Sequence, residues 1–337
     1  MVQRILERGE IESLDHNAIP RLRLPAADSV FKARAARLRR LAANEIKGTP
    51  VSPEFSGYLS LMAALVDAQQ AIFVTLTSDD APLPDQAAIA LAREHAMPPL
   101  LISAERPAIW RNILTRLLTQ LQTTHPSPYI TAISTELLGL EPAVLESLAD
   151  AVLTQRTEFL TPSQAPFIAA ALQVLWTWQA SKLNLPDVPT LEIGTLCPVC
   201  GSHPVASVIR IGGQSQGYRY LQCSLCASEW HMVRVKCSHC EQNGKIAYQS
   251  LAPDDDATST TIITEKPENK ANDPQKVARA ETCDDCYTYR KIFNQEHDYD
   301  VEPLADDLAS LMLDVLVTEA GYARASGHPL LWFGESI

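Results

Sequence analysis

Apolar residues recur at helical spacing through the first half of the chain. The first such stripe comprises Phe31, Ala35, Leu38 and Leu41. A second one follows at residues 58–72. Three prolines stand where the first turn of a helix tolerates a missing amide hydrogen, at Pro107, Pro142 and Pro162. Residues 165–178 are almost wholly apolar, yet they are fewer than the roughly 18 that a membrane span needs. This half of the chain therefore predicts an all-α domain with a buried helix near its end.

The pattern changes after a proline-containing linker at residues 184–190. Residues 205–211 alternate and are rich in β-branched side chains, and a glycine-rich turn separates them from a second candidate strand at 218–222. This pattern is typical of a β-hairpin. Residues 246–251 and 260–264 predict a second hairpin, with a longer acidic loop.

A further helix is predicted to begin at Glu302 and Pro303. Asp306 and Asp307 fall near its positive end, where anions are stabilised. Its predicted apolar stripe comprises Leu304, Leu308, Leu311 and Val315. The last apolar segment, residues 327–332, is expected to pack on its own domain.

The chain is acidic, since 28 Lys and Arg against 40 Asp and Glu give a net charge of −12 over 337 residues. Nucleic-acid affinity comes largely from Lys and Arg, so this balance disfavours a nucleic-acid partner. A basic cluster at residues 32–40 could contact an acidic partner or nucleic acid, but a solvated helix face is the simpler interpretation. No apolar segment follows the N-terminus or the Arg39-Arg40 pair, so a cytoplasmic protein is expected.

Eight cysteines carry the strongest chemical signal. They form four Cys-x-x-Cys pairs, Cys197/Cys200, Cys223/Cys226, Cys237/Cys240 and Cys283/Cys286. A disulfide framework suits short secreted domains, and a thioredoxin-like redox motif would explain one pair beside a βαβ unit, not four. Two pairs supply the four thiolates of a closed zinc site or a rubredoxin-type iron site. The spacing therefore predicts metal binding by all eight cysteines.

The hairpins indicate which pairs share an ion. A hairpin returns to its starting point, so each one carries a later pair back beside an earlier pair. This gives site 1, comprising Cys197, Cys200, Cys223 and Cys226, and site 2, comprising Cys237, Cys240, Cys283 and Cys286. A crossed arrangement, in which the second pair faces the third, also fits the spacing, but it would leave both hairpins without a reason to close.

The ligand type leaves the choice between iron and zinc open, because both ions accept four thiolates. With every position filled, neither ion would offer water or substrate an open position, which argues against metal-centred hydrolysis. Acidic residues 254–256 lack the spacing of a calcium loop. Three nearby histidines are more simply supporting or surface residues, His203, His231 and His239. No catalytic motif occurs elsewhere, so the chain is predicted not to be an enzyme.

Together these features predict a multi-domain fold of helices with a small β component. Its predicted parts are an all-α helical domain at residues 1–185, a first rubredoxin-like or zinc-ribbon-like metal-binding module at 190–234, a second such module at 235–300, and a C-terminal helix and tail at 301–337.

The order of these motifs resembles the FdhE family of formate dehydrogenase accessory proteins. The resemblance spans nearly the whole chain, although residues 77–160 share only helical character. It rests on the segments AARLRRLA (35–42), CPVCGSHPVAS (197–207), GYRYLQCSLCASEWHMVRVKCSHC (217–240), AETCDDCYTYRK (280–291), ADDLASLMLDVL (305–316) and EAGYARASGHPLL (319–331).

The resemblance implies a cytoplasmic maturation factor that is needed for active respiratory formate dehydrogenase, an enzyme whose molybdenum-containing catalytic subunit is exported folded. It implies binding to that catalytic subunit and rubredoxin-like iron on the eight cysteines, with zinc as the alternative. Neither membrane insertion nor nucleic-acid binding is expected, and self-association is left open. Two rival functions would use the same cysteines, namely a rubredoxin-like electron carrier or redox sensor, and a nucleic-acid-binding zinc ribbon.

Overall fold

The structure is a computed structural model that describes residues 19–46, 51–103, 105–156, 160–253, 260–264 and 276–331. The α-helices before residue 185 are α1 (Val30–Ala42), α2 (Pro53–Phe73), α3 (Gln86–Glu94), α4 (Ile109–Thr124), α5 (Pro128–Leu138), α6 (Pro142–Leu153) and α7 (Ala165–Ala180). Within the described ranges, no helix has both the length and the apolar character needed to cross a bilayer.

Helix α7 is the centre of the helical domain, as its apolar sequence predicts. All of its residues from Ala165 to Ala180 are buried, and α2, α4 and α6 pack around it. Just before it, Thr161 and Gln164 each accept a 3.3 Å hydrogen bond from the other's backbone amide. This is a reciprocal capping arrangement, in which each side chain satisfies the other residue's amide.

A mixed sheet follows the helical domain. Its strands are β1 (Leu22–Arg23), β2 (Pro204–Ile209), β3 (Arg219–Cys223), β4 (Glu229–His231), β5 (Ile246–Pro253), β6 (Thr260–Thr264), β7 (Ala278–Cys283), β8 (Thr288–Asn294) and β9 (Ala323–Arg324). Their order across the sheet is β1-β4-β3-β2-β8-β7-β5-β6, with β9 beside β8. Strand β8 runs parallel to β2 and β9, whereas the other pairs are antiparallel.

Both predicted hairpins form, but the second half of the sheet is larger than predicted. Strand β2 pairs with β3, and β5 pairs with β6. The chain returns to the second site through β7, which places Cys283 opposite Ile246 of β5. Strands β7 and β8 were not predicted. Arg290 and Lys291 make β8 look polar in the sequence, although both side chains are buried.

The parallel contact between β2 and β8 joins the two expected modules into one sheet. Ser207 lies opposite Ile292, and Val208 lies opposite Phe293. Val208 and Phe293 also belong to a single buried apolar cluster. The two metal modules therefore share one network of backbone hydrogen bonds rather than forming separate ribbons.

The predicted C-terminal helix is broken at Ser310. It consists of α8 (Pro303–Ala309) and α9 (Leu311–Glu319). The break changes the helical phase, so Leu313 and Val317 are buried while Val315 is 51% exposed. The predicted apolar stripe is thus wrong beyond Leu308.

The basic cluster at residues 32–40 is only partly a solvated face, contrary to expectation. Arg34 and Arg37 on α1 are buried, and they pair with Glu302 and Asp306 at the start of α8. Arg37 donates hydrogen bonds to the Asp306 carboxylate through two nitrogens. Its Nε lies 3.1 Å from Oδ1 and 3.0 Å from Oδ2, and its Nη2 lies 2.6 Å from Oδ1. Two segments that lie far apart in the sequence are therefore joined by buried charge.

Replacing Arg37 with Met should destabilise the fold by about 3–5 kcal/mol, because it leaves Asp306 as an unpaired buried carboxylate. Urea unfolding followed by circular dichroism measures this loss. Arg39→Met is the matched control, since the side chains of Arg39 and Asp67 are each about half exposed and such pairs contribute about 0–1 kcal/mol. Equal losses in the two variants would contradict a stabilising role for the buried pair.

The apolar segment that begins at Gly327 packs on its own domain as far as residue 331, as predicted, while Trp332 and the acidic residues 254–256 lie outside the described residues. The buried His328 ring places Nε2 3.0 Å from the Leu304 carbonyl, and its Nδ1 accepts a 3.0 Å hydrogen bond from the Leu330 amide. A neutral ring satisfies both contacts. Burial lowers the pKa of His328 to about 3.

The contribution of His328 to the free energy of unfolding should fall as the pH drops from about 7 to about 5.5. The pKa of His328 is near its ordinary 6.5 in the unfolded chain and lower in the fold, so the unfolded state takes up the proton first and is favoured. This group accounts for about 1 kcal/mol at the lower pH. Thermal unfolding of His328→Gln should show a flatter pH profile, whereas the partly exposed His125→Gln should not. An unchanged slope in His328→Gln would refute this origin.

Candidate metal centres

Site 1 brings together four sulfurs from two Cys-x-x-Cys turns. The sulfurs of Cys197, Cys200, Cys223 and Cys226 all lie within 4.8 Å of one another. The Sγ atoms of Cys197 and Cys226 are 3.6 Å apart, and those of Cys200 and Cys223 are 3.4 Å apart. Because β3 ends at Cys223, the β2–β3 hairpin delivers the second pair to the first.

Site 2 is assembled in the same way from the strands β5 and β7. The sulfurs of Cys237, Cys240, Cys283 and Cys286 also lie within 4.8 Å of one another. The closest contacts across the two turns are 3.8 Å between Cys237 and Cys286 and 3.9 Å between Cys240 and Cys283. The structure thus groups the thiols in the two sets favoured from the sequence, and not in the crossed arrangement.

These distances fit one tetrahedral ion at the centre of each set. Metal–sulfur bonds of about 2.3 Å require sulfur–sulfur edges of about 3.8 Å. A disulfide would require about 2.05 Å, and all eight cysteines are free. Four thiolates suit zinc and iron alike. The two groups could therefore each hold a metal ion, and ligation by all eight residues stays a prediction.

A left-handed residue follows the second cysteine of every turn. These residues are Gly201, Ala227, Glu241 and Tyr287, with φ of 80°, 58°, 60° and 54°. Glycine adopts this conformation freely, whereas it costs another residue about 1–2 kcal/mol. The sequence indicated only Gly201. The other three turns carry backbone strain at these residues, and the interactions of the assembled site must offset its free-energy cost.

Backbone amides point at the sulfurs in both sites. The amides of Leu225 and Cys226 donate to Sγ of Cys223, and the amide of His239 donates to Sγ of Cys237, each over 3.4 Å. Such hydrogen bonds favour the thiolate over the thiol. The turns are therefore shaped for deprotonated, metal-bound sulfur.

Site 1 lies inside the core of the helical domain. Its four thiols are at most 1% exposed and share a buried cluster with α7. From α7, Gln173 Nε2 donates to the Ser224 carbonyl over 2.7 Å. From the other side, the Leu100 amide donates to the Val199 carbonyl over 2.9 Å. The linker at residues 184–190 therefore does not isolate the helical domain from the first site.

Site 2 lies nearer the surface than site 1. Cys237 and Cys283 are buried, but Cys240 and Cys286 are partly exposed. The neighbouring Tyr287 is 63% exposed. Chelators, oxidants and partner proteins therefore reach site 2 more easily.

Burial disfavours thiolates in both sets when no cation is present. Desolvation raises the pKa of Cys197 and Cys223 well above the ordinary value, and it raises the pKa of Cys237 to about 12. A bound cation reverses this balance because it deprotonates the thiols that coordinate it. Metal binding should therefore release protons.

The three histidines near the cysteines contribute no nitrogen to either group of sulfurs. The candidate metal groups found among the described residues contain cysteine alone. His231 packs edge-on against Tyr218 and Tyr220, and the amide of His239, rather than its ring, faces a sulfur. Supporting roles are what the sequence predicted for them.

A helical domain joined through one mixed sheet to two tetrathiolate sites defines a metal-binding protein with zinc-ribbon-like modules. Three family models match the chain, described as the FdhE N-terminal domain at residues 19–192, the FdhE central domain at 196–234 and the FdhE C-terminal domain at 235–331. The chain belongs to the FdhE family.

Individual relatives match along nearly the full length. Protein FdhE of Escherichia coli K12 is 38% identical over 336 residues, covering 98% of this chain and 96% of the relative. An FdhE homolog of Cronobacter sakazakii is 37% identical over 342 residues, covering 98% of each. The crystal structure of the FdhE protein from Pseudomonas aeruginosa matches with a TM-score of 0.75 and 36% identity, covering 94% of this chain and all of that one.

The two sites should respond differently to the loss of ligands. Changing Cys197 and Cys200 to Ser should weaken hydrogen-exchange protection in α7 as well as in the sheet, because site 1 lies in the helical core. Changing Cys240 and Cys286 to Ser should leave α7 protected. Elemental analysis should find two ions in the parent protein and one in each variant. A single ion in the parent, or equal loss of protection in α7, would contradict this description.

Proposed function

We propose that this chain is a cytoplasmic maturation factor for a respiratory, molybdenum-containing formate dehydrogenase, and that it binds the catalytic subunit of that enzyme before export. The observation that carries the proposal is the full-length family match, which includes the helical domain, both pairs of Cys-x-x-Cys turns and the C-terminal segment. Formate itself is not its substrate.

The geometry of the metal centres supports a role other than metal-centred catalysis. Each group supplies four sulfurs, which complete a tetrahedron, so a bound ion would have no position for formate or water. We take the eight cysteines as the ligands and iron as the resident metal, with zinc as the alternative. The ions would hold the turns in shape, since structural metal sites contribute folding energy directly.

A nucleic-acid-binding zinc ribbon is disfavoured by the placement of its arginines. Arg210 on the first hairpin pairs with Glu229, its Nε lying 2.9 Å from the carboxylate. Arg219 pairs with Glu281 at 2.9 Å, and both side chains are buried. Cations that are buried in ion pairs cannot neutralise phosphates. These two arginines of the first hairpin are therefore not available to phosphates, which counts against this function.

A redox-sensing or electron-transfer role has one observation in its favour, the partial exposure of Cys240 and Cys286 at site 2. It requires iron at that site. A visible thiolate-to-iron absorption band that dithionite bleaches reversibly would support this second role. Colourless protein that carries two zinc ions would exclude the redox role.

The Cys240→Ser, Cys286→Ser double variant should lose co-purification with the formate dehydrogenase catalytic subunit. Two remaining thiolates cannot hold a tetrahedral ion, so the exposed turns of site 2 should lose their shape. The variant should also fail to restore formate oxidation in cells that lack the gene. Asp79→Asn, a change at an exposed position far from the cysteines in sequence, is the control and should retain both properties.

Deletion of the gene tests the assignment independently of the metal. Respiratory formate oxidation should fall to background and return when the parent gene is supplied. Full activity without the protein would refute the proposed function, whichever metal the sites hold.

A further inference from the structure

Arg290 is a buried cation that touches the Cys-x-x-Cys turn of site 2. It lies on β8 and is only 3% exposed. Its Nε donates a 2.9 Å hydrogen bond to Oγ of Ser238, which stands between Cys237 and Cys240. Among the described residues, no carboxylate forms an ion pair with this guanidinium, whose remaining contacts are with a hydroxyl and a carbonyl.

The other end of the same guanidinium faces the chain that leads out of site 1. Nη1 donates to the Pro204 carbonyl and, over 2.6 Å, to Oγ of Ser326. The carbonyl of the adjacent His203 accepts hydrogen bonds from the amide and the hydroxyl of Ser224, at 3.3 and 2.8 Å. Ser224 lies in the second turn of site 1. A short series of polar contacts therefore connects the two sites through Arg290.

The guanidinium of Arg290 shares the attraction of one carboxylate, that of Glu281, with Arg219. In the β7–β8 register, Arg290 stands opposite Glu281, but that carboxylate is held by the buried Arg219 at 2.9 Å. One positive charge thus remains. A divalent ion with four thiolates carries two net negative charges, and a trivalent ion carries one. Burial of a lone cation is costly, whereas burial beside an anionic group is compensated.

We propose that Arg290 is the buried counter-charge of the site 2 metal–tetrathiolate group and the hydrogen-bonded link through which an ion in site 2 strengthens metal binding at site 1. The inference rests on the metal ligation set out under the proposed function. Arg290 is a positioning residue in this account, since it touches the turn and not the ion.

Zinc competition with a chelator tests the proposal on the full-length protein, with native mass spectrometry to count bound ions. Arg290→Met should weaken zinc binding at site 2 by about tenfold or more, the usual effect of removing a group that supports metal ligands. Arg290→Lys keeps the charge and should recover part of the affinity. Arg234→Met removes an exposed arginine whose hydrogen bond, among the residues that the structure describes, is to the Gly217 carbonyl, so it should bind zinc like the parent.

The link between the sites has its own test. Changing Cys240 and Cys286 to Ser abolishes site 2 and should lower the zinc affinity of site 1 several-fold. Adding Arg290→Met to that variant should cause no further loss, because the link then has nothing to transmit. An unchanged site 1 affinity without site 2 would overturn the coupling.

Ser238→Ala is a milder change that keeps the proposal testable if an Arg290 variant fails to fold. It removes one hydrogen bond to Arg290. It should weaken zinc binding at site 2 directly, and at site 1 by no more than the loss of site 2 does. Site 2 affinity equal to the parent in both Ser238→Ala and Arg290→Met would overturn the proposal. If the parent itself bound neither zinc nor iron, the proposed ligation would fail. If the parent bound two ions and all variants bound them equally well, only the role of Arg290 would fail.

Discussion

The convergence of four sulfurs on one point, repeated twice, is the constraint on which the rest of the C-terminal half depends. Each turn must place two thiols on the same side of the chain, and it does so with a left-handed residue directly after the second cysteine. Three of the four turns use a residue other than glycine there, at a cost of about 1–2 kcal/mol each. Amide hydrogen bonds to sulfur and, in the proposed holo state, a metal ion supply the compensating stabilisation.

The two sites are alike in geometry but differ in their surroundings. Site 1 shares the core of α7, so the helical domain and the first pair of turns fold as neighbours in one apolar cluster. Site 2 extends from the same sheet towards the surface. The parallel contact of β2 with β8 is what holds these two environments together. A chain built in this way combines a buried internal site with a more accessible external one.

Buried ion pairs connect helices α1 and α8 with each other and with the sheet. Asp307 on α8 is paired with Lys291 on β8 and with Arg324 on β9, and the side chains of Lys291 and Asp307 are at most 1% exposed. Together with the pairs between α1 and α8, these contacts fix the C-terminal helices over the sheet. The segments that carry the family resemblance at residues 35–42, 280–291 and 305–316 are thereby neighbours in space.

The sequence predicted those features that depend on local spacing. Helical stripes, the buried run at α7 and the two hairpins follow from periodicity, and the hairpins in turn indicate how the Cys-x-x-Cys pairs group. It failed where burial contradicts residue type. Arg34 and Arg37 predict a solvated face, and Arg290 and Lys291 make strand β8 look like an exposed segment. A charged side chain indicates exposure unless its distant partner is known, yet all four are buried. The break at Ser310 was missed for a similar reason, since Lys291 binds the Asp307 and Ser310 carbonyls from another element.

We propose that all eight cysteines close two metal sites and leave no position for another ligand. X-ray absorption spectroscopy at the edge of the bound metal tests it most directly, on full-length protein carrying two ions. The account predicts four sulfur neighbours per ion at about 2.3 Å and no nitrogen or oxygen neighbour. Fewer than four sulfurs, or a nitrogen or oxygen atom in the coordination shell, would contradict it.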